Sequence, residues 1–214
     1  MRRAPRAQRG QALLEFAIVV PLFVLLLFAL IDFSRLLFTY VSLVNGAREL
    51  SRTAAISSTT TPGSNGITAF DNVTKIGGST SPATSVTLTL PGGGSASCTG
   101  LTSAGCTVNL SPSGTLTATG ATGDGDFVVL TWLNAAGSNG FVQVCPLGGA
   151  PLLQTGCAPP GASYGSLPGG SVQVDVNYTF RFNPLFQNRL ASVVDVSFMR
   201  QVSQLTTSAR TYIE

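Results

Sequence analysis

Sixteen consecutive residues, Phe16 to Ile31, carry neither a charge nor a polar side chain. As a helix rising about 1.5 Å per residue, the run measures about 24 Å, short of a bilayer hydrocarbon core of about 30 Å. Including Gln11–Glu15 extends it to 21 residues and about 31 Å, which spans. That register sets Glu15 inside or at the edge of the membrane, where a carboxylate is costly and demands a partner or a function.

Charge orients the segment. Arg2, Arg3, Arg6 and Arg9 precede the run and no acid lies among the first ten residues, so the N-terminus is expected in the cytosol and residues 32–214 beyond the membrane. The same arginines produce the net charge of +3, since residues 11–214 hold 8 basic against 9 acidic side chains. Between Thr53 and Gly170 the only basic residue is Lys75, which leaves no phosphate-binding stripe and no expectation of a nucleic-acid partner. The 214-residue chain has no histidine, which excludes Ser-His-Asp and Cys-His hydrolases and removes the commonest zinc ligand.

Several readings of the N-terminal segment compete. A secretory signal peptide needs a small-x-small cleavage site, and Ile31-Asp32-Phe33-Ser34-Arg35 supplies none. Twin-arginine export is disfavoured because Ala4-Pro5 follows Arg2-Arg3 where an apolar pair is wanted. A plain anchor explains the length but leaves Gly10 and Glu15 idle. A prepilin-type leader, cut on the cytoplasmic side after Gly10, uses both: Gln11 becomes the first residue and Glu15 the fifth.

The residues Arg9-Gly10-Gln11-Ala12-Leu13-Leu14-Glu15-Phe16-Ala17, followed by Val20-Pro21-Leu22-Phe23, resemble the amino termini of type IV pilin-like proteins. They resemble the TadE/TadG-like family more closely still. Ile31-Asp32-Phe33-Ser34-Arg35 and Asn45-Gly46-Ala47-Arg48-Glu49-Leu50-Ser51-Arg52 are similar to that family's pattern too, with Asp32 where a glutamate is expected. The resemblance covers residues 9–56 well and the remainder loosely. It implies a pseudopilin or minor pilin in the assembly of tight-adherence (Flp-type) pili of a Gram-negative cell. Such a protein is a substrate of a prepilin peptidase and not an enzyme, and uses no cofactor or metal. Its partners would be the inner membrane, the peptidase and other pilin-like or pilus-machinery subunits. Gly10 and Gln11 would flank the cut, Glu15 and Phe16 would serve recognition or register, and the four arginines would set topology. A membrane-buried Glu15 can pair with the free amine of residue 11 in a neighbouring subunit, fixing axial register as a buried polar group does in coiled coils. The alternative is a single-pass anchored binding protein whose β-rich head recognises a surface ligand.

Helical periodicity continues past the span. Phe33, Leu37, Tyr40, Val44, Ala47, Ser51 and Ala54 recur at intervals of three and four, predicting one helix from Gln11 to Ile56 with that stripe as its packed face. Pro21 predicts a kink or a freed carbonyl within it. Asp32 and Arg35, at i and i+3, predict an interfacial ion pair. Ser57–Gly66 ends the helix, and the period then changes to two. Strands are expected at Val86–Leu90, Thr107–Leu110, Phe127–Leu133, Phe141–Val144 and Val172–Phe182. Asn183-Pro184 predicts a short helix through Ala191, before strands at Val193–Met199 and Leu205–Ile213.

The fold class expected is α+β: a long transmembrane and stem helix packed on a small antiparallel, disulfide-pinned extracytoplasmic head. Its parts are a basic leader over 1–10, a transmembrane helix over 11–31, a helical stem over 32–57 and a β-rich head over 58–214. Outside the cytosol the four cysteines are expected as disulfides, by default Cys98–Cys106 and Cys145–Cys157, although four cysteines permit three pairings. Metal binding is disfavoured because there is neither a C-x-x-C nor a histidine. Gly123-Asp124-Gly125-Asp126 offers two carboxylates, too few for a calcium loop, and reads as the turn before the strand at Phe127. Trp132 reads as core. Asp71, Asp124, Asp126, Asp175 and Asp195 include no adjacent pair suited to acid–base chemistry, so no active site is expected.

Overall fold

The structure is a computed structural model that describes residues 8–56, 68–71, 74, 81–89, 95–102, 105–109, 120–133, 140–148, 153, 170–181 and 204–212. The apolar run and its continuation form one helix, α1, Gln8–Ile56, 49 residues long and unbroken at Pro21. Proline removes one N–H from the ladder, and the rest of the helix tolerates that loss. The chain divides into two compact units, residues 1–38 and 39–214.

In the first unit every side chain from Leu13 to Ile31 is exposed except half-buried Val20. This stretch lies in the one helix, among the described residues, that is long and apolar enough to cross a membrane, with a mean hydropathy of 2.8. Asp32 is buried, and Arg35 Nη1 lies 3.5 Å from its Oδ1, so the expected i, i+3 pair forms at long range.

The second unit is built on antiparallel sheets. Among the described residues its strands are β1 (Ser85–Thr89), β2 (Ser95–Thr99), β3 (Cys106–Asn109), β4 (Gly120–Gly123), β5 (Phe127–Leu133), β6 (Gly140–Pro146), β7 (Ser171–Thr179) and β8 (Gln204–Tyr212). They form a three-stranded sheet ordered β2-β1-β4 and a five-stranded sheet ordered β3-β6-β5-β7-β8. Central strand β5, FVVLTWL, is buried at every position, as a strand covered on both faces must be.

Strand register assigns the two faces. Phe127 and Val129 share a face with Val144 and Val142 of β6, and there they pack on Val86, Leu88 and Cys98 of the smaller sheet. The opposite face carries Val128, Leu130 and Trp132 beside Val172, Val174, Val176 and Tyr178. It receives the C-terminal part of α1, where Ser51 Oγ and Thr211 Oγ1 on β8 form a 2.8 Å hydrogen bond. Trp132 stacks on Phe141 with ring centroids 4.3 Å apart. The layers of this unit are therefore helix, five-stranded sheet and three-stranded sheet, an α+β arrangement.

The structure departs from the sequence reading in identifiable places. Strand β7 ends at Thr179, so Phe180 and Arg181 continue outside the sheet. Strands β2 and β4 were not expected, because their Ser, Ala, Thr and Gly residues lack an alternating apolar signal; both are recruited by pairing with β1. The packed stripe of α1 is also shifted. Phe33, Leu37 and Tyr40 are 59%, 47% and 44% exposed. Ala47, Ser51 and Ala54 of the expected stripe are buried and Val44 is half-buried, and the buried face of the stem is completed by Thr39, Ser42, Leu43, Gly46 and Leu50. Close approach explains the choice: a Cβ on Gly46 would stand 2.0 Å from Thr74 Oγ1 and 3.1 Å from the Phe70 ring. Small side chains win this face because bulky ones would hold the layers apart. The expected helix over 184–191 and strand over 193–199 lie outside the described residues.

Candidate functional site

The N-terminal residues singled out by sequence fall on α1 from its first turn. Arg9, Gly10 and Gln11 are helical, so the peptide bond at the expected cut lies within the helix; Arg2, Arg3 and Arg6 lie outside the described residues. Gln11 and Glu15 are four residues apart, about 6 Å along the helix axis. Glu15 is exposed, with Leu14, Phe16, Ile18 and Val19 exposed around it. Among the described residues it makes no hydrogen bond or ion pair, and it is the only acid before Asp32. The helix thus presents one carboxylate on an otherwise apolar surface. Such a group in lipid stabilises whatever arrangement brings it a counter-charge.

The acids of the second unit are treated differently. Asp124 accepts hydrogen bonds from the Thr84 hydroxyl, from Ser85 N at 3.0 Å and from Thr84 N at 2.8 Å. The Thr84 hydroxyl and then the Ser85 amide lower its pKa from 3.8 to about 2. Asp126 is fully buried and accepts from Ser81 N at 2.9 Å and Thr179 N at 2.7 Å. The Gly123–Asp126 turn is thus a backbone clamp whose carboxylates hold the start of β1 and the end of β7. Those oxygens are committed to protein donors.

Cys98 and Cys106 are joined, with Cα atoms 6.0 Å apart. The bond links β2 of one sheet to β3 of the other, so it staples the sheets together as well as closing a turn. Gly100 and Gly105, both with φ of 66°, carry the reversal between those strands in a region that residues with a Cβ avoid. Cys145 is also disulfide-bonded; its expected partner Cys157 lies outside the described residues.

One group was missed by sequence reasoning. Alternation along β7 assigned Gln173, Asp175 and Asn177 to a face meeting bulk water, yet all three are half-buried. Burial raises the Asp175 pKa above 3.8, opposed by Gln173, whose Nε2 donates to Oδ2 at 2.9 Å and Oδ1 at 3.2 Å. Alternation tells which face a residue occupies, not what lies above it.

Compared with known proteins, residues 10–52 match the family model of TadE-like proteins. The match begins at the glycine before the expected cut, runs through the apolar stretch and stem, and ends at Arg52. It associates the chain with the tight-adherence pilus. No curated protein and no solved structure matches the chain.

Proposed function

We propose that this chain, with its TadE-like amino-terminal segment, is a pseudopilin- or minor-pilin-like structural component of tight-adherence pilus biogenesis. A prepilin peptidase removes residues 1–10 at the cytoplasmic face of the inner membrane. The mature protein crosses that membrane once, with its β-rich head in the periplasm, and works by lateral packing of its helix against other pilin-like helices. It is a substrate of the peptidase and has no enzymatic activity of its own.

The observation that carries this reading is the pairing of Gly10-Gln11 with Glu15 on an apolar helix whose matched segment continues to Arg52. The outward side of α1 adds support. Apart from Glu15 and Ser34, whose hydroxyl donates back to Leu30 O at 2.9 Å, it is apolar from Leu13 through Phe33, Leu37 and Val41, and it turns polar at Asn45, Arg48 and Arg52. From Leu13 to Val41 the axis rises about 43 Å, more than a hydrocarbon core of about 30 Å covers, which leaves apolar surface for neighbouring helices. Within the core, the Glu15 carboxylate is matched by the Gln11 amine of the next subunit, which exists only after cleavage.

The decisive measurement is the N-terminal sequence and intact mass of protein extracted from its native membrane. A chain beginning at Gln11 is expected; one beginning at Met1 would leave only a membrane anchor. Glu15→Leu is expected to reach the membrane in normal amount and to fail in pilus assembly. Normal piliation in that variant would remove the register role.

A further inference from the structure

The five-stranded sheet is wider than the layer packed on it. The core between the sheets is formed by residues of β1, β2, β5 and β6, with Cys106 and Val108 of β3 and Ala121 of β4 packed at its margin, and beyond Ala121 a cleft of about 410 Å³ opens over β7 and β8. Phe127 and Val129 lie at its apolar side, while Gln173, Asp175 and Asn177 enter from β7 and Thr206 and Ser208 from β8.

Register arranges these groups in rungs. Asn177 pairs with Thr206, Asp175 with Ser208, Gln173 with Arg210 and Ser171 with Tyr212, all on the same face. Successive rungs are about 7 Å apart along the strands, giving a polar track of about 20 Å. At its outer end Tyr212 is 68% exposed. Arg210 lies 5.3 Å from the centre of that ring and is held by Nη2 and Nε donating to Ser171 Oγ at 2.9 and 3.2 Å.

The lining selects a ligand class. Amides, hydroxyls and one carboxylate facing Phe127 and Val129 suit a guest with both polar and apolar faces. The cation of the track, Arg210, lies outside the cleft and is already taken up by Ser171 Oγ and the Tyr212 ring, so no free cation among the described lining residues receives a phosphate or carboxylate. Asp175 alone is too small a donor set for a divalent ion, which takes six or more oxygens. A polyhydroxylated neutral molecule fits: its hydroxyls both donate and accept, which suits a carboxylate and amide oxygens beside amide N–H groups. An exposed aromatic ring at the end of the track suits the C–H face of a sugar.

We propose that this cleft binds a neutral oligosaccharide, with Asp175 and Asn177 hydrogen-bonding its hydroxyls and Tyr212 stacking on a sugar ring at the outer end. The burial that raises the Asp175 pKa costs the folded head stability, and such a cost accompanies polar groups kept for binding. The assignment is independent of leader processing and pilus assembly.

The test uses full-length protein in lipid nanodiscs, because sugar-headed detergents would occupy the same chemistry. Cellotetraose, maltotetraose and the tetramer of N-acetylglucosamine are titrated by calorimetry and saturation-transfer NMR. At least one is expected to bind with a Kd of about 1 mM or tighter, weakened about tenfold or more by Asp175→Asn and by Tyr212→Ala. Tyr212 is exposed, so its variant decides the matter if Asp175→Asn fails to fold. No binding by any of the three at about 10 mM, a tenfold weaker regime than expected, would overturn the proposal. So would binding that neither variant weakens, or stronger binding of tetragalacturonate than of the neutral sugars.

Discussion

From Leu13 to Ile31, α1 shows apolar side chains to its surroundings on all sides except at Glu15, whereas from Thr39 to Ala55 it buries a face of threonine, serine, glycine and alanine with only two leucines. The first stretch needs nothing but hydropathy, because lipid tails adapt to any apolar outline. The second needs shape, because a sheet and the segment at Phe70 and Thr74 lie against it and cannot adapt. Carboxylates divide the same way. Asp124 and Asp126 take their counterparts from backbone amides of their own unit, while Glu15 stands on a surface that supplies none among the described residues.

The same substitution in the two stretches gives the sharpest contrast. Ala47 is fully buried, and Ala47→Leu is expected to destabilise the head by about 2–3 kcal/mol in denaturant titrations, the upper end of overpacking costs. Ala29 is exposed, and Ala29→Leu is expected to stay within about 0.5 kcal/mol. Equal effects would show that the stem packs no more tightly than the span.

Gly46→Ala reverses a general rule. In an exposed helix this change stabilises by about 1 kcal/mol; here the added Cβ meets Thr74 Oγ1 and Phe70, and a net loss of about 1–2 kcal/mol is expected by the same measurement. A gain would mean that Thr74 and Phe70 yield, and that small residues on this face reflect something other than close packing.

The smallest effect concerns pH. Asp124 has a folded pKa of about 2 against 3.8, so its contribution is complete above pH 3.8 and is lost as pH falls towards 2. Asp175, raised above 3.8, acts in the opposite sense: its contribution is complete below 3.8 and is lost as pH rises through its folded value. Asp124→Asn is therefore expected to flatten the acid limb of a melting-temperature profile, and Asp175→Asn to raise the melting temperature at neutral pH. A profile unchanged in both variants would contradict the two environments.

Much of this was legible before folding. The apolar run, the position of Glu15, the strand at Phe127–Leu133, most of the strand expected at Val172–Phe182, and the Cys98–Cys106 pairing all follow from local pattern or short separation. Strands β2 and β4 were illegible because their residues have no preference of their own and acquire extended structure from pairing with β1. Ala47, Ser51 and Ala54 fall on the stem's packed face as expected, but its earlier turns were misread because periodicity weights large apolar residues, and Phe33, Leu37 and Tyr40 drew the stripe away from Thr39, Ser42 and Gly46. The cleft could not be read, since it depends on where the smaller sheet ends.

By itself, then, the sequence determined the α+β class, the apolar span with its single carboxylate, and the amino-terminal signature matched by TadE-like proteins. Those are properties of residues near one another along the chain, where hydropathy, charge and spacing act directly. Tertiary structure alone decided which side of the stem is buried, that the Cys98–Cys106 bond joins two sheets, and that Asp175 lies in a cleft and not in open water. Each of these depends on layers brought together from distant segments, and such packing is set by shape and coverage that no local pattern encodes.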